Sequence, residues 1–129
     1  MKHIQKAIIK DGDKFLIILR SPDSKYFPNQ WDFPGGKLEQ NETPKEGVER
    51  EVKEETNLTI KAKEVLGIYK LDIDNIGQQN YIYTMYAATI LKGELKVGPD
   101  HTKYKWATKE EILNLTIGPF LIEYFKEHP

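Results

Sequence analysis

Five consecutive apolar residues, Phe15-Leu16-Ile17-Ile18-Leu19, show no polar alternation. A strand with one face in water alternates apolar and polar side chains, so this strand needs cover on both faces. Residues 81–91 repeat the demand. Ile82, Thr84, Tyr86, Ala88 and Ile90 share one face, and Tyr81, Tyr83, Met85, Ala87 and Leu91 the other. Strands covered on two sides form the middle of a three-layer structure, and the helical patterns between strands supply the outer layers. The expected fold is an α/β/α sandwich with a mixed β-sheet. A chain of 129 residues has the size of one domain, so residues 1–129 are read as a single unit.

Residues 4–10 and 15–20 are β-rich, and Asp11-Gly12-Asp13 between them is a hairpin signal, because glycine accepts positive φ. Residues 21–42 read as a long irregular stretch with Pro22, Pro28, Pro34 and the Gly35-Gly36 pair. A loop that long in a small domain is more often functional than idle. A helix follows, with Thr43 as N-cap, Pro44 at its first position and Glu46 completing a capping box. It is expected to run to about Glu55, with Asn57 in the left-handed closing position. Further strands are expected at 58–61, 63–70 and 104–107. Thr108 and Glu111 repeat the capping-box pattern before a short helix. Gly118-Pro119 opens a final helix in which Leu121, Tyr124 and Phe125 share a face.

Lysine and arginine number 19 against 20 acids, a net charge of -1. Strong binding to nucleic acid needs a basic excess, so no nucleic-acid partner is expected. The absence of cysteine removes disulfides, thiolate metal sites and cysteine nucleophiles, and fits a reducing compartment. The N-terminal residues are not ordered as a signal peptide, and no apolar run is long enough to span a bilayer. A cytoplasmic protein with no membrane partner is expected.

Chemistry concentrates in residues 35–58. On the expected helix, Glu51, Glu54 and Glu55 project within a sector of roughly 100°. Three crowded carboxylates repel one another, and either Arg50 and Lys53 or a bound hard cation offsets that repulsion. Magnesium and manganese favour such oxygen ligands. A solvated acidic face is the plainer reading of the same charges. The glycine turn in Trp31-Asp32-Phe33-Pro34-Gly35-Gly36, just before the helix, tips the balance toward a site.

This stretch resembles the Nudix box, G-x5-E-x7-R-E-U-x-E-E-x-G-U with U aliphatic. Gly36 opens it, Glu42 follows after five residues, and Arg50-Glu51 come after seven more. Val52, Glu54-Glu55 and Leu58 fill the remaining places, while Asn57 stands where the pattern has glycine. Asparagine is the next-best residue for a left-handed cap, so the turn is kept. The resemblance implies hydrolysis of a diphosphate linkage in a nucleoside diphosphate joined to another group. It implies that Glu51, Glu54 and Glu55 bind Mg2+, with Mn2+ an alternative, and that the Gly35 carbonyl is a further ligand. Arg50 then orients the carboxylates, and Glu54 is the favoured general base, with Glu51 sharing the catalytic role. Asp100, ahead of Tyr104 and Trp106, is an additional candidate ligand or base, or else a turn residue after Gly98-Pro99.

Gly36, Glu42, Trp31 and Phe27 are expected on the substrate side, Glu42 also as a second-layer or extra metal ligand. Tyr26, Phe27 and Trp31 are either base-stacking or packing aromatics. Asp72, Asp74 and Gly77 echo a calcium loop, but Ile76 and Tyr83 occupy ligand positions. His3, His101 and His128 have no zinc spacing. Sequence marks of NADH, coenzyme A, ADP-ribose and dinucleoside polyphosphate subfamilies are not evident. Elimination therefore leaves a nucleoside triphosphate, canonical or oxidised, cut to monophosphate and pyrophosphate. The alternatives are another nucleoside diphosphate conjugate or a nonhydrolytic nucleotide-binding regulatory module. A small-molecule nucleotide is the expected partner, and a homodimer is admitted but marked by nothing in the sequence.

Overall fold

The computed structural model describes residues 2–25, 27–73 and 79–129. Strands β1 (Lys2–Asp11) and β2 (Lys14–Arg20) form the hairpin marked by Asp11-Gly12, with Gly12 at φ 63°. The two strands separate almost at once, pairing only at Lys10–Phe15 and Asp11–Lys14. Three short or distant strands then share the work. β3 (Trp31–Asp32) and β7 (His101–Thr108) both pair with β2, and β4 (Gly35–Lys37) pairs with β1. On its other side β1 runs parallel to β6 (Gln79–Lys92), from Lys2 opposite Tyr81 to Ile9 opposite Ala88. β5 (Thr59–Ile73) lies antiparallel to β6. The sheet is mixed, as expected.

Its two faces carry separate apolar clusters. One joins Ile4, Ile8, Phe15 and Ile17 to Tyr81, Tyr83 and Met85. That cluster is covered by Ile112 of α2 (Lys109–Leu113) and by Phe120, Leu121, Tyr124 and Phe125 of α3 (Pro119–Glu127). The other joins Ala7, Ile9, Leu16, Tyr86 and Ala88 to Val48 and Val52 of α1 (Pro44–Thr56). Neighbouring residues of one strand thus enter opposite cores, the pleat alternation that an apolar run demands. The α/β/α sandwich follows. No helix among the described residues is long and apolar enough to cross a membrane.

Sequence expectation and structure differ at several boundaries. The two strands expected at 58–61 and 63–70 are one strand, β5, broken in register by bulges between Ala62 and Val65 and between Val65 and Gly67. A bulge adds a residue to one strand and reads in sequence as a break in alternation. The stretch 21–42 is less irregular than its prolines suggest, because the exposed edges of β1 and β2 recruit β4 and β3 from it. β7 begins at His101 rather than at 104. Tyr26 and the residues 74–78 of the calcium-loop echo lie outside the described residues.

Candidate active site

Helix α1 is built as its punctuation requires. The Thr43 side chain accepts from Glu46 N–H at 3.2 Å, and the Glu46 carboxylate accepts from Thr43 N–H at 2.8 Å. At the far end Asn57 adopts φ 66° and its N–H donates to Lys53 O. Its side-chain amide donates to Glu94 O at 2.9 Å. The segment between β6 and β7 then closes over the helix end, with Lys96 N–H donating to Thr56 O at 2.9 Å and Gly98 N–H to Glu55 O at 2.8 Å. These carbonyls belong to the last turn, which has no partners inside the helix. Gly98 lies so close that a Cβ there would sit 2.5 Å from Glu54 O.

Val48 and Val52 anchor the helix on the sheet, which directs the acidic sector toward β4. Arg50 gathers the acids. Its Nε and Nη2 donate to the two oxygens of Glu42 at 3.1 and 3.0 Å, and Nη1 donates to Glu51 Oε1 at 2.9 Å and Glu54 Oε1 at 3.2 Å. Nη2 also donates to Lys37 O at 3.1 Å, which ties the helix to the end of β4. Hydrogen bonds from Arg50, then from Glu39 N–H, hold Glu42 below the usual carboxylate range. Those same acids hold Arg50 firmly protonated.

Glu51 and Glu55 face a different environment. Burial raises the Glu51 pKa, against the pull of Arg50. Burial pushes Glu55 up to about 8, despite Lys6 nearby and a hydrogen bond from Gly35 N–H at 2.8 Å. The glycines make this approach possible. A Cβ on Gly36 would lie 2.6 Å from the Glu51 carboxyl carbon, and Gly35, at φ 145°, would push a Cβ to 2.0 Å from Gln5 O.

Both acids line a cleft of about 410 Å³ that also receives Lys6, Phe27, Gly35, Gly36, Tyr81, Asp100, His101 and Phe120. A second hollow of about 380 Å³ shares Glu51 and Glu55 and adds Glu54, Gly98 and Pro99.

Most sequence-predicted residues therefore converge, with four differences. Trp31 does not line the cleft. Its backbone pairs with Thr116 and Gly118, and its ring packs against the α3-side core. Glu42 is engaged by Arg50 and Glu39 rather than by the cleft. At Gly35 the amide, not the carbonyl, makes the contact with Glu55. Asp100 is exposed at the rim, while its neighbour His101 is buried, with Nε2 4.0 Å from Glu55 Oε2. Burial, then Lys6 and Arg20, lowers His101 to about 4, so its ring is neutral at pH 7.

Sequence reasoning did not place Lys6, His101, Tyr81 or Phe120 at the cleft, and the first two bring charge or a titratable ring to it. Lys6 stands between Ile4 and Ile8 on one face of β1, and a cation flanked by apolar residues on its own face is the signal that marks it. His101 offers only its place beside Asp100.

All side-chain donors of the acidic cluster are oxygens, a set that suits a hard divalent cation, and desolvation disfavours the charged forms of Glu51 and Glu55, a cost that a bound cation would offset. The set is not drawn together: among the described residues no three acidic or histidine side chains form a group able to hold a metal ion. Arg50 holds Glu51 and Glu54, while Glu55 is turned to the Gly35 amide.

Comparison with known proteins identifies the family. The family described as the NUDIX domain matches residues 5–127. An ADP-ribose pyrophosphatase of Methanocaldococcus jannaschii is 38% identical over 94 residues, covering 73% of this chain and 54% of that protein. An 8-oxo-dGTP diphosphatase of Escherichia coli K12 is 39% identical over 61 residues, 46% of this chain and 47% of the relative. The match thus spans about half the length of these two curated relatives. The crystal structure of a MutT protein from Methanosarcina mazei Go1 superposes with a TM-score of 0.86 at 28% identity, covering 98% of this chain and 91% of the other. The chain belongs to the Nudix family, whose matched relatives are named as pyrophosphatases and diphosphatases.

Proposed function

We propose that the chain hydrolyses a diphosphate linkage in a nucleoside triphosphate, canonical or oxidised, to give monophosphate and pyrophosphate, with Mg2+ or Mn2+ as cofactor. The observation that carries this reading is the pair Glu51 and Glu55, part-buried and raised in pKa, lying against Gly35 and Gly36 in a cleft large enough for a nucleotide. Glu51, Glu54 and Glu55 would hold the cation, with Asp100 at the rim as a further oxygen donor. A bound divalent cation supplies neutralisation of phosphate charge and a more acidic water.

The chain's own residues do the remaining work. Arg50 aims Glu51 and Glu54 through charge-assisted hydrogen bonds, and Glu42 fixes Arg50 from the other side. Glu54 is more than half exposed in the second hollow and accepts the proton of the attacking water. Gly36 leaves room for Glu51 beside the substrate. Phe27 and Phe120 form an aromatic wall for the base, edge to face at 6.2 Å.

The test is a phosphate-release screen with Mg2+ over nucleoside triphosphates, 8-oxo-dGTP, dinucleoside polyphosphates and nucleotide sugars. Triphosphates should turn over to monophosphate, and Glu54→Gln should lower kcat by about 10²–10⁴-fold, the usual worth of a general base. Turnover by the variant at the wild-type rate would remove Glu54 from that role. A second reading, cleavage of ADP-ribose or a similar conjugate, is favoured by the Methanocaldococcus jannaschii relative. Turnover restricted to such conjugates would select it.

A further inference from the structure

Lys6 sits on β1 between Ile4 and Ile8, on the face that meets the α3-side core. Its side chain is 4% exposed, and its Nζ donates to Asp32 Oδ2 at 2.9 Å. The other oxygen of Asp32 accepts from Phe33 N–H at 2.8 Å, which fixes the carboxylate. The Nζ lies 5.3 Å from the centre of the Phe120 ring, and Phe27 meets that ring edge to face at 6.2 Å. Lys6, Phe27, Tyr81 and Phe120 line the same cleft as Glu51 and Glu55.

A buried ion pair adds little stability over an apolar pair of the same volume, so the core alone does not call for one here. Asp32 offsets the charge of Lys6 at 2.9 Å, which makes the pair a weaker phosphate anchor than an unpaired lysine. It takes one of three ammonium protons and leaves the others as fixed donors beside aromatic rings. A donor-only group in such a chamber complements a carbonyl oxygen on an uncharged ring. Where a keto base presents that oxygen, adenine presents an exocyclic amino group, itself a donor, and it offers acceptors only at ring nitrogens.

We propose that Lys6, clamped by Asp32, selects the nucleobase by donating to a keto oxygen of guanine, uracil, thymine or cytosine held against Phe120, and so discriminates against adenine. This deepens the nucleotide reading given above and rests on it.

The experiment measures kcat and KM for GTP, UTP, CTP and ATP with wild type and with the double variant Lys6→Met, Asp32→Asn. The pair of substitutions removes both charges, so neither is left buried alone, and thermal melts establish that the variant is folded. Wild type should prefer the keto-bearing nucleotides over ATP by tenfold or more in kcat/KM. The variant should lose about that factor, in KM rather than kcat, as expected for one hydrogen bond to a charged donor. Equal use of all four by wild type, or an unchanged preference in a folded variant, overturns the proposal. Should that variant not fold, Lys6→Arg, which keeps the ion pair but moves the donors, takes its place, and an unchanged preference in it overturns the proposal.

Binding of GMP and AMP, read by calorimetry, separates the two readings. Should wild type hydrolyse none of the nucleotides, a GMP preference that the variant loses would sink the hydrolase and keep the role of Lys6. No binding, or equal binding, would sink both.

Discussion

A glutamate in an unfolded chain titrates near 4.5, whereas burial holds the Glu55 carboxyl protonated up to about 8. Folding therefore favours the protonated form. The stability this contributes is complete below about pH 4.5 and is lost as pH rises through 8. In the metal-free protein, Glu55→Gln should be more stable than wild type by about 1–3 kcal/mol at pH 9, with the difference vanishing toward pH 5. Urea melts across that range measure it, and Mg2+ should stabilise wild type more than the variant, which keeps Glu51 and Glu54 but lacks the third carboxylate. A pH-independent difference would mean that Glu55 is not desolvated. The acids and Arg50 are legible in the sequence because spacings of three and four on one helix put them together. Lys6 and Asp32 are 26 residues apart, and His101 reaches Glu55 of α1 from β7. No spacing rule joins such pairs. Trp31 packs on the core, and an aromatic beside a glycine turn has the same sequence signature whether it faces ligand or core.

Among the elements, α1 is the one the sequence specifies most fully, since its start, stop and buried stripe each have a local chemical cause. Its stop is testable. Asn57 combines φ 66° with a side-chain hydrogen bond to Glu94 O, so Asn57→Ala loses both a residue tolerant of that backbone and a partner. It should cost about 1–2 kcal/mol in denaturant midpoint, with little change in slope. Asn57→Gly should cost less, because glycine keeps the backbone and forfeits only the amide. Strands of two and three residues such as β3 and β4 are illegible for a plain reason: they are too short to show alternation. They exist because β1 and β2 diverge after the hairpin and leave edges that need partners. The bulges of β5 hid its continuity in the same way.

For the whole molecule, the decisive sequence feature was the demand of β2 and β6 for cover on both faces, which the two clusters meet. That demand fixes the number of layers but not the order of strands. The parallel contact between β1 and β6 joins residues about eighty positions apart in sequence, from Lys2 with Tyr81 onward, and no local pattern announces it. The same long-range wiring fastens the chain between β6 and β7 to the last turn of α1 through Lys96 and Gly98. One wall of the acidic hollow is therefore part of the helix terminus rather than a hinged flap. Deuterium uptake at the Gly98 amide then reads out the integrity of the helix that bears the glutamates. It should be slowed alongside Val52 and released in the same opening event. If Gly98 instead exchanged a thousandfold faster than Val52, the wall would move on its own, and the hollow would have a door.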